Sequence, residues 1–173
     1  MQLLFIFIFS ILSTVNPQQK PSATQENQSM TTYYFIRHAE KDTSDPSNRD
    51  PQLTDAGVRR AENWAKVFEE VEFDLIYTTD FTRTRETAKT VAKTQKKSVE
   101  IYDPRQLFDK DFQHKTKGKT VLIVGHSNTN PQFVNMILGE KVYEDIDEAE
   151  SGSLFIVSVG PDGTKKAQVL YIN

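Results

Sequence analysis

The sequence predicts an α/β fold: a three-layer α/β/α sandwich with a mostly parallel central sheet and an antiparallel edge. Apolar runs of strand length alternate with stretches of helical period, as in βαβ units packed around a parallel sheet. Near the C-terminus, residues 154–159 and 167–172 flank a Gly-Pro-Asp-Gly turn, which is typical of a hairpin. The chain has 173 residues, 37% of them hydrophobic, which is ordinary composition for one soluble domain with a core.

The parallel strands are predicted where short apolar runs suit burial on both faces of a sheet, at residues 33–36, 73–77, 99–102 and 121–124. Three helices are predicted between and after them, the first capped by Thr54 and the third ended by Gly139. Their sheet-facing positions are Val58, Ala61, Trp64, Ala65 and Phe68; then Thr84, Ala88, Val91 and Ala92; then Phe133, Val134, Ile137 and Leu138. Residues 42–52 are polar, contain two prolines and are expected to form a surface loop.

The N-terminal residues differ in composition from the rest of the chain. Residues 1–15 contain an almost unbroken apolar run of signal-peptide length, too short to span a bilayer comfortably. Residues 16–31 are rich in Gln, Ser, Thr and Pro, which predicts a disordered linker, and the folded domain is expected at residues 32–173. We therefore predict export to the periplasm or cell surface without stable membrane insertion after cleavage. A retained anchor is the alternative, because no Lys or Arg precedes the run and no Ala-x-Ala site follows it.

Composition excludes several function classes. The formal net charge of −3 and the isoelectric point near 5.7 provide no overall attraction for nucleic acid or anionic membranes. The chain contains no cysteine, which removes disulfides, thiol nucleophiles and cysteine-ligated metals. An anionic ligand would therefore have to be bound by a local cluster of positive groups. Nothing in the sequence specifies an oligomeric state.

Groups able to bind phosphate follow three of the predicted strands. The first strand ends at Arg37 and His38, the second is followed by Arg83, and the fourth ends at His126. Carboxyl ends of parallel strands share one edge of a sheet, where ligands bind. Each residue alone has a simpler explanation: a solvated histidine, an exposed helix arginine, or a buried ion pair for Arg37. Their coincidence at one predicted edge favours a binding site.

Four segments carry a resemblance to a known family: residues 35–41 (FIRHAEK), 53–57 (LTDAG), 76–88 (IYTTDFTRTRETA) and 124–129 (VGHSNT). In this order they resemble the motifs of the histidine phosphatase superfamily, also called phosphoglycerate mutase-like. The resemblance implies that family's fold and a phosphatase acting on a phosphorylated small molecule or phosphoprotein, with no metal or cofactor. It implies His38 as the transiently phosphorylated nucleophile, assisted by Arg37, Arg83 and His126. Lys41 and Ser127, within the same motifs, are further substrate-binding candidates.

The sequence departs from the family pattern at two places. Ala39 stands where glycine is usual, a change that the pocket is expected to tolerate. The glutamate general acid of many members cannot be placed, although Asp103, Asp109 and Asp111 lie in the right stretch. A general acid typically contributes about 10²–10⁴-fold to such a reaction. We therefore expect a preference for good leaving groups, such as phosphoanhydrides, aryl phosphates or phosphohistidine.

Four other functions are considered. Mutase-type phosphoryl transfer and phosphate binding without turnover would use the same pocket. Residues 125–129 are similar to a serine-hydrolase nucleophile elbow, but no histidine follows Ser127 to complete a triad in that fold's order. A metal site built from His38, His114 and His126 lacks a recognised ligand spacing.

The acidic residues 140–150 are expected to be a solvated loop; at the pocket rim they would repel highly anionic substrates.

Overall fold

The computed structural model describes residues 29–172. The predicted signal peptide and most of the predicted linker lie outside the described residues. The described part contains strands β1 (Thr31–Arg37), β2 (Leu75–Thr78), β3 (Glu100–Ile101), β4 (Thr120–Gly125), β5 (Ser153–Val159) and β6 (Lys165–Tyr171). Its helices are α1 (Asp55–Val67), α2 (Thr82–Thr94), α3 (Lys110–Thr116) and α4 (Thr129–Leu138).

The strands form one mixed sheet in the order β3-β2-β4-β1-β5-β6. Pairing is parallel between β1 and β4, between β4 and β2, and between β2 and β3. It is antiparallel between β1 and β5 and between β5 and β6. The predicted mostly parallel sheet with an antiparallel hairpin at its edge is therefore confirmed.

Helices cover both faces of the sheet, which confirms the three layers. Side chains of a strand alternate between faces, so Phe35 and Ile123 enter one core while their neighbours Ile36 and Leu122 enter the other. The helices supply the opposing side chains: Phe112 from α3 and Phe133 from α4 in the first core, Trp64 from α1 and Val91 from α2 in the second. All four strand residues are fully buried.

The first helix begins as predicted, and its buried face differs from the prediction at one position. The Thr54 hydroxyl accepts a hydrogen bond from the Gly57 amide (3.1 Å), which caps α1. Val58, predicted to face the sheet, is 47% exposed, so that expectation is wrong. Gly57 is buried in its place, where a Cβ atom would lie 2.2 Å from the Glu40 carbonyl oxygen. The close approach of these two backbones makes Gly57 the first buried position, whereas the other predicted positions, Ala61, Trp64, Ala65 and Phe68, are buried as expected.

The short helix α3 was not predicted. Asp109 caps it by accepting a hydrogen bond from the Phe112 amide (2.7 Å), and only Phe112 and Thr116 of its seven residues are buried. Two buried positions give no helical period to recognise. The Phe112 ring stacks against Tyr33 of β1 at 6.0 Å between ring centroids, and this tertiary contact holds the helix on the sheet.

Two strand boundaries also differ from expectation. β1 begins at Thr31, inside the predicted linker, and the Thr31 hydroxyl accepts a hydrogen bond from the Gly118 amide (2.8 Å). The strand predicted at residues 99–102 is reduced to the two-residue β3. Within residues 29–172, the model forms no helix with the length and apolarity needed to cross a bilayer.

The Gly57 contact gives a test of how α1 packs. Replacing a helical glycine with alanine normally stabilises a protein by up to about 1 kcal/mol. At Gly57 the added methyl group must displace the Glu40 backbone, so Gly57→Ala should instead lower the free energy of unfolding by about 1–3 kcal/mol. Urea denaturation measures this change. The control Val58→Ala should cost under about 1 kcal/mol, because this residue faces solvent; a larger loss there would contradict the described face.

Candidate active site

The register of the central strands brings the predicted site residues to one edge. In the parallel pair β1–β4, Arg37 lies opposite Gly125, so His38 and His126 follow at the same level. The His38 amide donates a hydrogen bond to the Gly125 carbonyl (3.0 Å), extending this pairing by one residue. On the other side of β4, Thr78 lies opposite Val124. Three strand ends therefore meet at one place.

A cavity of about 590 Å³ opens at this edge. Its lining residues are His38, Lys41, Phe81, Arg83, Pro104, His126, Ser127, Asn128, Thr129, Asp145, Ile146 and Glu148. Five of the six predicted site residues line it, and Arg37 is buried beside it. A larger cavity of about 870 Å³ shares Asn128 and Asp145 but is lined by no histidine or arginine. The candidate catalytic side chains therefore line the smaller cavity.

His38 is held as a neutral imidazole. Its ring is 5.5 Å from that of His126 between centroids, and its Nδ1 atom lies 2.8 Å from the Ala39 carbonyl oxygen. A carbonyl only accepts, so Nδ1 carries the proton and Nε2 keeps a free lone pair. Burial is the main cause that lowers the His38 pKa to about 3. The hydrogen bond to Ala39 raises this pKa, whereas the charges of Arg37 and Arg83 lower it further. The side chain is therefore ready to act as a nucleophile at neutral pH.

His126 is oriented by a residue that the sequence did not indicate. Its Nε2 atom lies 2.9 Å from the Thr79 hydroxyl, and the Phe81 ring packs edge-on against it at 5.2 Å between centroids. Burial, followed by the charges of Arg83 and Arg37, lowers the His126 pKa to about 4. Thr79 directly follows β2 and is fully buried; its place at a strand end was the only available signal.

Arg83 presents buried donors to the cavity. Its guanidinium lies 4.5 Å from the centroid of the Phe81 ring, and its Nη1 atom is 3.6 Å from a carboxylate oxygen of Asp50. Among residues 29–172, its buried Nε and Nη1 atoms have no hydrogen-bond partner. Asp50 also accepts hydrogen bonds from the Thr82 amide and hydroxyl, both 2.8 Å, at the start of α2. Sequence reasoning missed Asp50, which lies in the predicted surface loop.

Arg37 is only 3% exposed and is held by the segment before β5. Its Nη1 atom donates to the carbonyl oxygens of Asp147 (3.1 Å), Glu148 (2.7 Å) and Glu150 (2.9 Å). Its Nη2 atom pairs with the Glu148 carboxylate at 2.7 Å. Within the described part of the chain, its buried Nε atom has no partner. The guanidinium is thus fixed on one side and has an unused donor on the other.

The acidic segment at residues 140–150 lies partly at the cavity rim. Asp145 and Glu148 line the cavity, and Glu148 accepts a short hydrogen bond from the Ser127 hydroxyl. That hydrogen bond and the Arg37 and Lys41 charges lower the Glu148 pKa against the effect of burial, so its carboxyl is ionised at neutral pH. Sequence reasoning expected a solvated loop here.

The carboxylates considered earlier as general acids have other contacts. Asp103 binds Arg105 through two hydrogen bonds of 3.0 and 2.9 Å, and Asp109 caps α3. Asp111 is exposed in the first turn of α3. None of the three lines the cavity. The carboxylates that do line it come instead from the segment after α4.

Ala39 fits where the motif usually has glycine. It is fully buried in a small cluster with Leu53 and Ala61, and its amide donates to the Thr87 hydroxyl (3.1 Å). The next residue, Glu40, accepts a hydrogen bond from Arg60 at 2.6 Å. The methyl group therefore occupies space that the packing of α1 and α2 provides.

The other two site hypotheses find no support in the geometry. His114 is exposed on α3 and does not line the cavity with His38 and His126. Residues 29–172 contain no group of three or more His, Asp or Glu side chains arranged to hold a metal. The Ser127 hydroxyl donates to Glu148, whereas a serine nucleophile needs a histidine base.

Two histidines and Arg83 line this cavity at the carboxyl edge of the mixed sheet, and Arg37 is buried beside it, an arrangement of donors that suits an anionic ligand. The model of the histidine phosphatase superfamily (branch 1) matches residues 33–105, which include His38 and Arg83. Over these residues the chain is therefore similar to the histidine phosphatase superfamily, as the resemblance of the sequence motifs predicted. Comparison with curated proteins gives no match.

Solved structures share the fold at low sequence identity. The protein histidine phosphatase SixA, complexed with tungstate, is 19% identical with a TM-score of 0.63, over 81% of this chain and 96% of that one. A mycobacterial glucosyl-3-phosphoglycerate phosphatase is 12% identical with a TM-score of 0.63, over 83% and 100%. An Entamoeba histolytica phosphoserine phosphatase complexed with 3-phosphoglyceric acid is 16% identical with a TM-score of 0.62, over 83% and 98%.

The two lowered histidine pKa values predict a pH dependence of stability. In the unfolded chain both histidines titrate near pH 6.5, whereas in the folded protein they stay neutral to about 3 and about 4. The unfolded state then binds more protons as pH falls, so stability is lost below about pH 6.5, by about 1–2 kcal/mol per histidine at pH 5. Urea unfolding at pH 7 and pH 5 measures this loss. If the double variant His38→Asn/His126→Asn lost as much stability between pH 7 and pH 5 as wild type, the loss could not come from these two histidines.

Proposed function

We propose that this protein is a phosphatase that hydrolyses a phosphorylated substrate through a transient phosphohistidine on His38. The observation that carries the proposal is a set of buried guanidinium donors that find no hydrogen-bond acceptor within residues 29–172: Nε of Arg37 and both Nε and Nη1 of Arg83. Leaving a buried charged donor unsatisfied costs about 1–3 kcal/mol or more. A phosphoryl group supplies the acceptor oxygens that these donors lack, in addition to the negative charges of Glu148 and Asp50 that already lie beside the two guanidiniums.

The geometry of His38 suits in-line attack on phosphorus. Its Nδ1–H is engaged by the Ala39 carbonyl, so the Nε2 lone pair forms the N–P bond as the bond to the leaving oxygen breaks. That oxygen departs with the bonding electron pair. Water then attacks phosphorus, the N–P bond breaks with its electron pair returning to Nε2 of neutral His38, and the proton of the attacking water passes through solvent to the alkoxide released in the first step. The second step releases inorganic phosphate.

The remaining groups act by fixed electrostatics. Charge spreads over the equatorial phosphoryl oxygens in the transition state, and buried donors stabilise it without reorganising. Arg83 and His126 lie in the same cavity as His38, with His126 positioned through Thr79 and Phe81. The positive field of the arginines also keeps His38 unprotonated. The arginines thus contribute to phosphate binding and, after burial, to keeping His38 neutral.

The structural neighbours support the reaction class and leave the substrate open. Their names refer to phosphatases of a phosphorylated sugar acid, of phosphoserine and of phosphohistidine in a protein. A phosphorylated small molecule or a phosphoprotein is therefore the substrate class we propose. Export by the N-terminal segment, with turnover in the periplasm or at the cell surface, is part of the same proposal.

A nucleophilic role for His38 predicts that His38→Ala lowers phosphate release by about 10³-fold or more, because no covalent intermediate can form. The matched control is His114→Ala, which removes an exposed imidazole and should keep activity. Brief incubation of wild type with ³²P-labelled substrate and acid-free quenching should give a labelled protein whose phosphate is lost in acid and kept in alkali. Undiminished activity of His38→Ala would refute the proposal.

The ionised state of Glu148 also bears on the leaving group. A carboxylate cannot donate a proton, so departure of a basic alkoxide should be slow. We expect kcat/KM for p-nitrophenyl phosphate to exceed that for benzyl phosphate by about 10²–10⁴-fold. The two substrates have similar size, so binding differences stay small. Similar values for both would show that a proton donor operates in this site.

A further inference from the structure

Glu148 occupies two groups that a substrate phosphate would need. One carboxylate oxygen pairs with Nη2 of Arg37 at 2.7 Å, and the other accepts the hydroxyl hydrogen of Ser127. The motifs place both partners among the phosphate-binding candidates. Carboxylate and phosphoryl oxygens accept the same charge-assisted hydrogen bonds. The Glu148 carboxylate therefore occupies the cavity as an internal anion, in contact with groups that a phosphate would bind.

The two ends of this ion pair differ in how firmly they are held. Nη1 of Arg37 is fixed by three carbonyl oxygens of residues 147–150, and the side chain is 3% exposed. The Glu148 side chain is 68% exposed. Water reaches the carboxylate end of this ion pair and screens it, which makes the pair weaker than one buried at both ends. The carboxylate can thus turn into solvent while Arg37 stays in place.

Displacement would also complete the hydrogen bonding of Arg37. Nε and Nη2 lie on one edge of a guanidinium, the edge used for two parallel hydrogen bonds to a phosphate or carboxylate. Glu148 takes only Nη2, and the buried Nε has no acceptor within residues 29–172. Two phosphoryl oxygens would satisfy both donors. A phosphate therefore fits this edge better than the resident carboxylate does.

We propose that the Glu148 carboxylate is a displaceable internal anion, which the substrate phosphate replaces on Arg37 and Ser127, so that Glu148 sets the affinity of the site for phosphate. This rests on the phosphatase function proposed above and specifies how its phosphate site is occupied before substrate arrives. Every phosphate must break the Glu148 contacts, and the displaced carboxylate remains nearby as a like charge. Glu148 acts through competition and takes no part in bond breaking.

The test compares binding of inorganic phosphate to full-length wild type and two charge-removing variants by isothermal titration calorimetry. Glu148→Gln should lower the phosphate Kd by about fivefold, because phosphate then has no charged carboxylate to displace from Arg37. The control Glu144→Gln removes the same charge from the same segment, where it pairs with Lys141, and should leave the Kd within about twofold. Raising salt from about 50 to about 500 mM screens simple repulsion and should preserve the difference.

A second variant separates position from charge. Glu148→Asp keeps the negative charge but is too short to reach Arg37 and Ser127 together, so it should also bind phosphate more tightly than wild type. Equal Kd values for Glu148→Gln and Glu144→Gln, or weaker binding by Glu148→Gln, would overturn the displacement. So would a loss of turnover confined to benzyl phosphate, which would identify Glu148 as a proton donor. Wild type that binds no phosphate at all would refute the phosphatase function as well.

Discussion

The parallel pairing of β1 with β4 is the constraint on which the site depends. Opposite Arg37 stands Gly125, whose carbonyl accepts the His38 amide hydrogen bond. A Cβ atom at Gly125 would lie 2.1 Å from the Asn130 side chain and 2.8 Å from the Tyr102 hydroxyl, so the strand end fits only without one. A slip of one residue would turn every side chain to the opposite face. Core packing and the active site therefore share one register.

The same arrangement explains how a protein with net negative charge can bind an anion. The positive groups are concentrated at one sheet edge and partly buried, where their field is screened less than at the surface. Burial keeps both imidazoles neutral, so they add donors and a nucleophile without adding charge. The charge of Arg37 is balanced by three carbonyl oxygens and one carboxylate of a single segment. The proposed phosphate site is thus built mainly from groups already compensated within the protein.

Several features of the fold could be read directly because the signal is local. A few neighbouring residues are enough to recognise the buried run at residues 121–124, the Thr54 cap and the hairpin turn. The errors have the opposite origin. Val58 was placed inside because periodicity cannot see the Glu40 backbone against Gly57, and α3 was missed because its two buried residues depend on contacts with β1 and α4.

The sequence by itself determined the fold class, the order of its elements, the placement of Arg37, His38 and His126 at strand ends, and that of Arg83 in the helix after the second strand. Only the tertiary structure decided which residues surround them. Glu148 reaches Arg37 from 111 positions away, Thr79 reaches His126 from 47, and Asp50 reaches Thr82 from 32. Such contacts depend on strand register and on the paths of loops, and neither leaves a periodic pattern in the chain. Helices, strands and caps could therefore be predicted from neighbouring residues, whereas the contacts within the site depend on the folded structure.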